Sequence, residues 1–244
     1  MQTNNNVILL TGGTSGIGLE MVRQFYARNN KLIVTSSNPV NLQLLQNQFP
    51  DISIIVCNLA DNASVAQLIA KCVAEFRDIN ILINNAGIQN NYNWLDEPDG
   101  YNKIENEICI NFTSPMKLIY GLLPVLKTKP QSAIVNVSSA LAFSPKRSAP
   151  VYCATKAAIH NATKALRYQL ENTSINVFEI IPPLVDTAMT KGRGKRKITP
   201  KQLVDEFLIN LKNDRLESNI GKIKLFRALL RLSPKLADSI LKNG

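Results

Sequence analysis

The fold is decided by the stretch Val7-Ile8-Leu9-Leu10-Thr11-Gly12-Gly13-Thr14-Ser15-Gly16-Ile17-Gly18 near the start of the chain. Its first four residues form a short apolar run, which is typical of a buried parallel strand. Apolar residues then recur at helical spacing as far as Phe25. The glycines are therefore predicted to lie in a turn that leads from a strand directly into a helix.

The three spaced glycines of this turn, Gly12, Gly16 and Gly18, suit a phosphate-binding loop. The first is expected to allow a tight turn, the second to let the backbone approach a pyrophosphate, and the third to let the helix pack closely on the sheet. The helix would then present its free N–H groups to the phosphates. A turn with only a structural role is the alternative. The expected cofactor contacts in this turn are Gly12, Thr14, Ser15, Gly16, Ile17 and Gly18.

Apolar runs and helical stretches alternate along the rest of the chain. Further strands are predicted at residues 32–34, 52–56, 79–83, 133–137, 175–181 and 220–225, and helices include residues 40–48 and 151–170. This alternation predicts an α/β fold, a Rossmann-type doubly wound parallel sheet of about seven strands with helices on both faces. We expect one domain over residues 1–244, in which residues 186–244 form a substrate loop and a basic C-terminal extension.

Composition excludes several classes of protein. With 45% hydrophobic and 19% charged residues, the chain can bury a large core and is not disordered. Its net charge of +10 is concentrated in residues 190–244, which hold 14 Lys/Arg and 5 Asp/Glu. Such a segment could attract an anionic substrate, an acidic lipid surface or nucleic acid. No nucleic-acid motif accompanies it, so we expect no nucleic-acid partner.

The sequence also bears on location and on metals. No uninterrupted apolar run reaches the roughly 18 residues that span a bilayer, and the first residues do not resemble a signal peptide. A cytoplasmic location is therefore expected. The four cysteines are widely spaced and His160 is the single histidine, so we expect reduced thiols and no metal site.

A tyrosine and a lysine, Tyr152 and Lys156, are four residues apart in the predicted helix 151–170. This spacing puts them on one helix face. Free tyrosine has a pKa near 10 and is a poor base at neutral pH, whereas a neighbouring ammonium group favours the phenolate. The pair therefore suits acid–base catalysis, although a surface pair without function has the same spacing.

The wider pattern is much more specific than this pair. Ser139 lies 13 residues before Tyr152, Asn84-Asn85-Ala86-Gly87 follows the fourth predicted strand, and Asn111 lies in a helix-like stretch. Together with the glycine turn, these residues resemble the short-chain dehydrogenase/reductase family in its compact branch, over residues 7–189. The chain looks most similar to members encoded beside D-alanyl-lipoteichoic acid genes.

The resemblance implies an enzyme that transfers a hydride between NAD(P) and a small carbonyl or alcohol substrate. Tyr152 would be the acid/base, and Lys156 would bind the nicotinamide ribose and lower the tyrosine pKa. Ser139 would hydrogen-bond the reacting oxygen, and Asn111 would interrupt its helix and hold a water of a proton relay. Family members suggest a homodimer or homotetramer, but the basic tail replaces the usual C-terminal end that forms tetramer contacts.

The resemblance also implies further cofactor contacts. After the second strand, Ser36, Ser37 and Asn38 offer neither the carboxylate that favours NAD nor the arginine that favours NADP. Because they can hydrogen-bond a phosphate, we favour NADP over NAD. Asn58 replaces a usual aspartate near the adenine, and Pro183 replaces a usual glycine. The remaining expected contacts are Leu59, Asn85, Ala86, Gly87, Tyr152, Lys156, Pro182, Val185 and Thr187.

Two readings from other classes stay open. One is a redox sensor that binds dinucleotide without turnover, which the complete set of four catalytic residues disfavours. The other is a peripheral membrane protein, because Leu225, Leu229, Leu232, Leu236 and Ile240 line one side of a basic helical tail. A terminal helix packed over the pocket or at a subunit contact is the preferred interpretation of that tail. Candidate substrate-wall residues are Leu141, Phe143, Leu184 and Met189, and His160 is expected to pack without a catalytic role.

Overall fold

The computed structural model describes residues 1–194 and 196–242. Within them, seven strands form one sheet: β1 (Val7–Thr11), β2 (Lys31–Ser36), β3 (Ser53–Val56), β4 (Ile81–Asn84), β5 (Ser132–Val137), β6 (Ile175–Ile181) and β7 (Glu217–Asn219). All neighbouring strands are parallel, and their order is β3-β2-β1-β4-β5-β6-β7. The predicted doubly wound parallel sheet is thus confirmed.

The helices of the described ranges connect these strands or, in the case of the last two, follow β7. They are α1 (Gly16–Tyr26), α2 (Pro39–Gln48), α3 (Asn62–Glu75), α4 (Gly100–Ile108), α5 (Ser114–Leu126), α6 (Pro150–Leu170), α7 (Pro200–Lys212), α8 (Ile223–Leu232) and α9 (Pro234–Lys242). A π-helical turn, Cys109–Thr113, joins α4 to α5. Short 3₁₀ turns cover Ala140–Ala142 and Ala188–Thr190.

The sheet is buried on both faces, which explains its continuous apolar strands. In β1, Ile8 and Leu10 belong to a core with α1, α2 and α7, whereas Leu9 belongs to a core with α3 and α5. All three side chains are fully buried. Burying one leucine contributes roughly 1.5–3 kcal/mol, so the two cores together hold the helices against the central strands.

The predicted strand at residues 220–225 is wrong. β7 is Glu217–Asn219, and after a left-handed turn at Gly221 (φ +57°) the chain enters α8 at Ile223. Ile223 is buried, and Phe226 and Leu229 are partly buried. This spacing of three is helical, and it puts these side chains on the inner face while Leu225 is turned outward.

The tail forms two helices because Pro234 cannot continue α8. Pro234 is instead the first residue of α9, where its missing N–H costs nothing. The inner face of α9 buries Ala237 completely. The Asp238 carboxylate accepts a hydrogen bond from Ser144 at 2.7 Å, so the tail is packed against the body of the protein.

One helical run passes a membrane test by length and composition alone. Residues 100–126, which include α4, the π-helical turn and α5, are helical for 27 residues, and an 18-residue stretch within them has a mean hydropathy of 1.2. In this fold, Leu118, Leu122 and Leu126 of α5 are fully buried in the core that also contains α3. The run therefore includes a core helix of the sheet.

Candidate functional site

The site lies where the strand order reverses, between the carboxyl ends of β1 and β4. There the Asn85 side-chain amide donates hydrogen bonds to the carbonyl oxygens of Thr11 (3.0 Å) and Gly12 (3.1 Å). The Thr11 hydroxyl in turn accepts from the backbone N–H groups of Asn85 and Ala86, each at 3.1 Å. Open α/β sheets bind their ligands at such a reversal.

The glycine turn is shaped by close contacts as well as by backbone conformation. Gly12 has φ +69°, and a Cβ there would lie 2.9 Å from the Cα of Ala86. Gly16 has φ +53°, and its Cβ would approach Thr187 to 3.1 Å. A Cβ on Gly18 would lie 2.0 Å from the Gly12 carbonyl oxygen, so Gly18 permits packing of α1 against the turn itself.

The N-terminus of α1 opens into a cleft of about 300 Å³. Ser15 caps this helix without a side-chain hydrogen bond to it. The cleft collects most of the predicted cofactor contacts: Gly12, Thr14, Ser15, Gly16, Ile17, Gly18, Ser36, Ser37, Asn58, Leu59, Asn85, Ala86, Gly87 and Thr187. Sequence reasoning missed Thr35, Cys57, Ile88, Ile110, Ala188 and Met189, which also line it.

One predicted contact, Asn38, lies outside the described cleft lining. Its side-chain oxygen accepts from the N–H of Asn41 at 3.0 Å and caps α2. A cap of this kind stabilises a helix by about 1 kcal/mol, so the Asn38 side-chain oxygen serves the fold here. Ser36 and Ser37 remain at the cleft, and Ser36 accepts a 3.4 Å hydrogen bond from Thr14.

A second cavity of about 230 Å³ adjoins the first, and Ile17, Asn85, Gly87 and Thr187 line both. Its lining holds five more of the predicted residues, Ser139, Tyr152, Lys156, Pro182 and Val185, whereas the predicted catalytic residue Asn111 is in the described lining of neither space. Three of the four predicted wall residues, Leu141, Leu184 and Met189, also line it. The fourth, Phe143, packs edge-on against His160 with ring centroids 4.7 Å apart.

Helix α6 carries Tyr152 and Lys156 on the face that lines this cavity. The Lys156 ammonium is 5.6 Å from the centre of the Tyr152 ring and donates a 2.8 Å hydrogen bond to the carbonyl of Val137. Ser139 follows β5, and its hydroxyl oxygen accepts from the N–H of Leu141 at 3.1 Å. One strand end and one helix therefore bring all three groups together.

Burial shifts the pKa of both ionisable groups toward their neutral forms. It raises the pKa of Tyr152 to about 12, against a smaller lowering by a hydrogen bond from Ser139. It lowers the pKa of Lys156 to about 8, against an opposing effect of the negative Glu179. Desolvation therefore exceeds the hydrogen bond at Tyr152 and the neighbouring charge at Lys156.

Asn111 lies in the π-helical turn, where the helix is interrupted as expected. Its side-chain oxygen accepts from the Ile88 N–H at 2.8 Å, and its amide donates to the Ile88 carbonyl at 2.9 Å and to Thr155 at 3.2 Å. A Cβ on Gly87 would lie 3.2 Å from this side-chain oxygen and 3.5 Å from the Lys156 ammonium. The water relay stays a prediction, but Asn111 clearly fixes the chain after β4.

His160 has a partner that sequence reasoning missed. Its Nδ1 lies 2.9 Å from both carboxylate oxygens of Glu179, which is fully buried in β6. The guanidinium of Arg167 lies 3.9 Å from the same carboxylate. A single acidic residue within an otherwise uncharged strand, Ile175–Ile181, was the available signal, because buried carboxylates require partners.

Comparison with known proteins assigns the family. Residues 6–198 match the family model described as short chain dehydrogenase. The chain is 36% identical over 237 residues to the uncharacterized oxidoreductase DltE of Bacillus subtilis (strain 168), covering 95% of this chain and 94% of that protein. The chain therefore belongs to the short-chain dehydrogenase/reductase family, which comprises oxidoreductases, and the predicted resemblance is confirmed.

Solved structures agree on the fold. A short chain dehydrogenase from Burkholderia cenocepacia J2315 in complex with NADP superimposes with a TM-score of 0.87, at 24% identity and over 100% of both chains. A short chain dehydrogenase/reductase from Burkholderia phymatum in complex with NAD gives a TM-score of 0.82 at 16% identity, over 95% of this chain and 96% of that one.

Burial of Lys156 should give the cofactor-free protein a distinctive pH dependence of stability. Between its folded pKa of about 8 and the ordinary value of 10.5, the unfolded chain binds more protons than the folded one, so stability rises with pH. Between pH 7 and 10.5, the free energy of unfolding of the wild type should therefore rise by on the order of 2–3 kcal/mol relative to that of Lys156→Met. Urea unfolding at several pH values measures this. Lys164→Met, at an exposed position of the same helix, is the control, and a constant difference between wild type and Lys156→Met would contradict the expectation.

Proposed function

We propose that the protein is an NAD(P)-dependent oxidoreductase that interconverts a carbonyl compound and an alcohol, with Ser139, Tyr152, Lys156 and Asn111 as its catalytic set. The observation that carries this proposal is the junction of the two cavities. The cleft at the N-terminus of α1 meets the Tyr152 cavity at Gly87 and Thr187. A cofactor in the first and a substrate in the second would therefore adjoin each other.

The cleft fits a dinucleotide. The turn Gly12–Gly18 would receive the pyrophosphate at the helix N-terminus, with Ser36 and Ser37 toward the adenosine ribose and Asn58 and Leu59 toward the adenine. When bound, the nicotinamide supplies or accepts the hydride. Asn85 and Thr187 line both the cleft and the cavity beside Tyr152, whereas Val185 lines the cavity alone. These three residues would hold the nicotinamide beside Tyr152.

The protein groups would handle the proton. In the reducing direction, hydride adds to the carbonyl carbon and the Tyr152 hydroxyl donates a proton to the oxygen, which gives the alcohol. The raised pKa keeps Tyr152 protonated at neutral pH, as a proton donor requires. The Ser139 hydroxyl would hydrogen-bond the same oxygen and stabilise its developing charge. Lys156 would bind the ribose hydroxyls and, through its positive charge, stabilise the phenolate that remains after Tyr152 has donated its proton.

Two features support NADP as the cofactor. The described lining of the cleft beside Ser36 and Ser37 holds no carboxylate that would repel a 2′-phosphate. Among proteins of the same fold, one is in complex with NADP and another with NADPH. A third is in complex with NAD, so the argument depends mainly on the residues after β2.

Cofactor binding tests the cleft. NADPH should bind at least as tightly as NADH, and Gly16→Asn should weaken both, because the new side chain occupies the pyrophosphate space. Asparagine tolerates the left-handed conformation of Gly16, so the variant should fold. Gly192→Asn is the control, since Gly192 has φ +77° with no described atom within 4 Å of its Cβ position. Nicotinamide fluorescence gives the affinities. If both substitutions weakened cofactor binding equally, or if neither weakened it, the assignment of the cleft as the cofactor site would be refuted.

Substitution of Tyr152 tests the chemistry. Tyr152→Phe keeps the ring but removes the proton donor, so turnover should fall roughly 10²–10⁴-fold while NADPH binding remains. Tyr168→Phe, at an exposed position of the same helix, should retain wild-type turnover. Steady-state rates on a panel of carbonyl compounds provide the measurement. Activity of Tyr152→Phe within a few-fold of wild type would contradict the mechanism. Binding without turnover of any panel member by wild type would instead favour the redox-sensor alternative.

A second proposal concerns the outer face of α8 and α9. Leu225, Leu232, Leu236 and Ile240 are all more than half exposed, next to Lys224, Arg231 and Lys235. We propose that this face associates with anionic membrane surfaces, because exposed leucines beside cations suit an acidic lipid interface.

The oligomeric state expected for the protein, a homodimer or a homotetramer, stays a prediction.

Vesicle sedimentation tests this association. Wild type should pellet with phosphatidylglycerol vesicles and much less with phosphatidylcholine vesicles. The double variant Leu232→Ser/Leu236→Ser should remain in the supernatant, because it loses buried apolar area. Leu95→Ser, at a 91% exposed position elsewhere, is the control. Absence of wild-type protein from the phosphatidylglycerol pellet would refute the proposal without affecting the proposed enzyme.

A further inference from the structure

The cavity beside Tyr152 contains more positive charge than the proposed reaction uses. Three cationic residues line it, Lys146, Lys156 and Arg193, and its described lining includes no aspartate or glutamate. Lys156 is already accounted for by its hydrogen bond to Val137 and its proposed contact with the cofactor. Lys146 and Arg193 are left without a role.

Lys146 is buried, and the described residues supply no countercharge to it. Only 7% of the residue is exposed, and none of the ion pairs among the described residues involves it. Its backbone N–H is fixed by a 3.4 Å hydrogen bond to the sulfur of Cys153, the neighbour of Tyr152. Burial lowers the pKa of its ammonium group, and the positive charge of Arg193 lowers it further. The two cations are therefore close enough to repel each other.

Arg193 is held at the cavity by Gln89. Its guanidinium donates a 2.7 Å hydrogen bond to the side-chain oxygen of Gln89, which also lines the cavity. This bond fixes the orientation of the amide, because the opposite orientation would direct an NH₂ group at a guanidinium. The Gln89 Nε2 donor is then buried with no hydrogen-bond partner among the described residues.

Three donor groups therefore line one cavity: the Lys146 ammonium, the Arg193 guanidinium and the Gln89 amide nitrogen. The described residues satisfy them only in part, because the Gln89 oxygen accepts from one N–H of Arg193 while the Gln89 nitrogen has no described partner. Uncompensated buried charges and donors are costly, and proteins ordinarily pair them. An anionic oxygen group on a ligand would satisfy these donors, and guanidinium with carboxylate is a particularly good match.

The rest of the cavity is apolar. Leu141, Leu184, Met189 and Leu241 line it, and Leu241 comes from α9. A ligand that fills about 230 Å³ between these side chains would be small. It would need a short hydrocarbon part and one acidic group.

We propose that Lys146 and Arg193 form a carboxylate-binding site, and that the substrate is a small apolar carbonyl or alcohol compound bearing a carboxylate. This inference rests on the proposed function for the reacting group, but the anion site itself can be tested separately. The carboxylate would bind between the two cations. Its hydrocarbon chain would lie along Leu141 and Leu184 and would bring the carbonyl to Ser139 and Tyr152.

The test compares hexanoate with hexanamide, its neutral analogue of nearly equal size. Each is titrated into the full-length protein, with and without saturating NADPH, and binding is followed by ligand-observed NMR. Wild type should bind hexanoate at least about tenfold more tightly than hexanamide, as expected for hydrogen bonds to a charged group. The preference should persist with NADPH bound, which excludes the phosphate end of the cofactor cleft as its source.

Substitutions locate the site. Lys146→Met and Arg193→Gln should each reduce the preference to less than threefold, and Arg193→Gln alters a half-buried loop position that should not disturb folding. Arg196→Gln removes a charge at an exposed position of the same loop and should keep the preference. In turnover assays, the kcat/KM for 5-oxohexanoate should be at least tenfold higher than the kcat/KM for its methyl ester.

Two outcomes would overturn the anion site: equal affinity of wild type for hexanoate and hexanamide, or a preference that survives in both Lys146→Met and Arg193→Gln. Failure of NADPH to bind is a separate result. It would overturn the proposed oxidoreductase function, while the two ligands titrated without cofactor would still decide the anion site.

Discussion

The amide of Asn85 joins the two strand ends between which the site is built. By donating to the carbonyl groups of Thr11 and Gly12, it fixes the end of β1 against the end of β4 at the reversal of strand order. The close approach of Gly12 to Ala86 depends on these two hydrogen bonds. So does the position of Gly87, against which Asn111 and Lys156 pack. A side chain without this paired donor group could not satisfy both carbonyls at once.

Beneath α6 lies a second constraint, the buried carboxylate of Glu179. An unpaired carboxylate at full burial would be strongly destabilising, and here His160 and Arg167 of α6 compensate for it. Arg167 also pairs with Glu217, which Arg227 of α8 contacts in turn. The charges therefore link the helix that carries Tyr152 and Lys156 to the first helix of the tail. The same carboxylate partly opposes the loss of charge at Lys156.

The sheet and most of the cleft could be predicted because they follow from local patterns. Continuous apolar runs, which are typical of strands buried on both faces of a sheet, predicted six of the strands. The glycine spacing located the turn. The seventh strand could not be predicted, because β7 is only Glu217–Asn219 and its neighbour α8 is amphipathic. The Asn38 contact stays a prediction: its side-chain oxygen caps α2, and capping and cofactor contact favour the same residue type. No sequence pattern indicated Lys146 or Gln89 as site residues. Their proposed role depends on tertiary contacts, those of Gln89 with Arg193 and of Lys146 with Cys153.

The contribution of Leu241 to the cavity beside Tyr152 has a consequence for synthesis of the chain. The described lining of the cleft at the N-terminus of α1 is complete by Met189, whereas α9 begins only at Pro234. A nascent chain can thus assemble that cleft before the part of the cavity wall that Leu241 provides exists. Until α9 docks through Asp238 and Ser144, this wall is incomplete, and chains at such intermediate stages of folding expose apolar surface to chaperones.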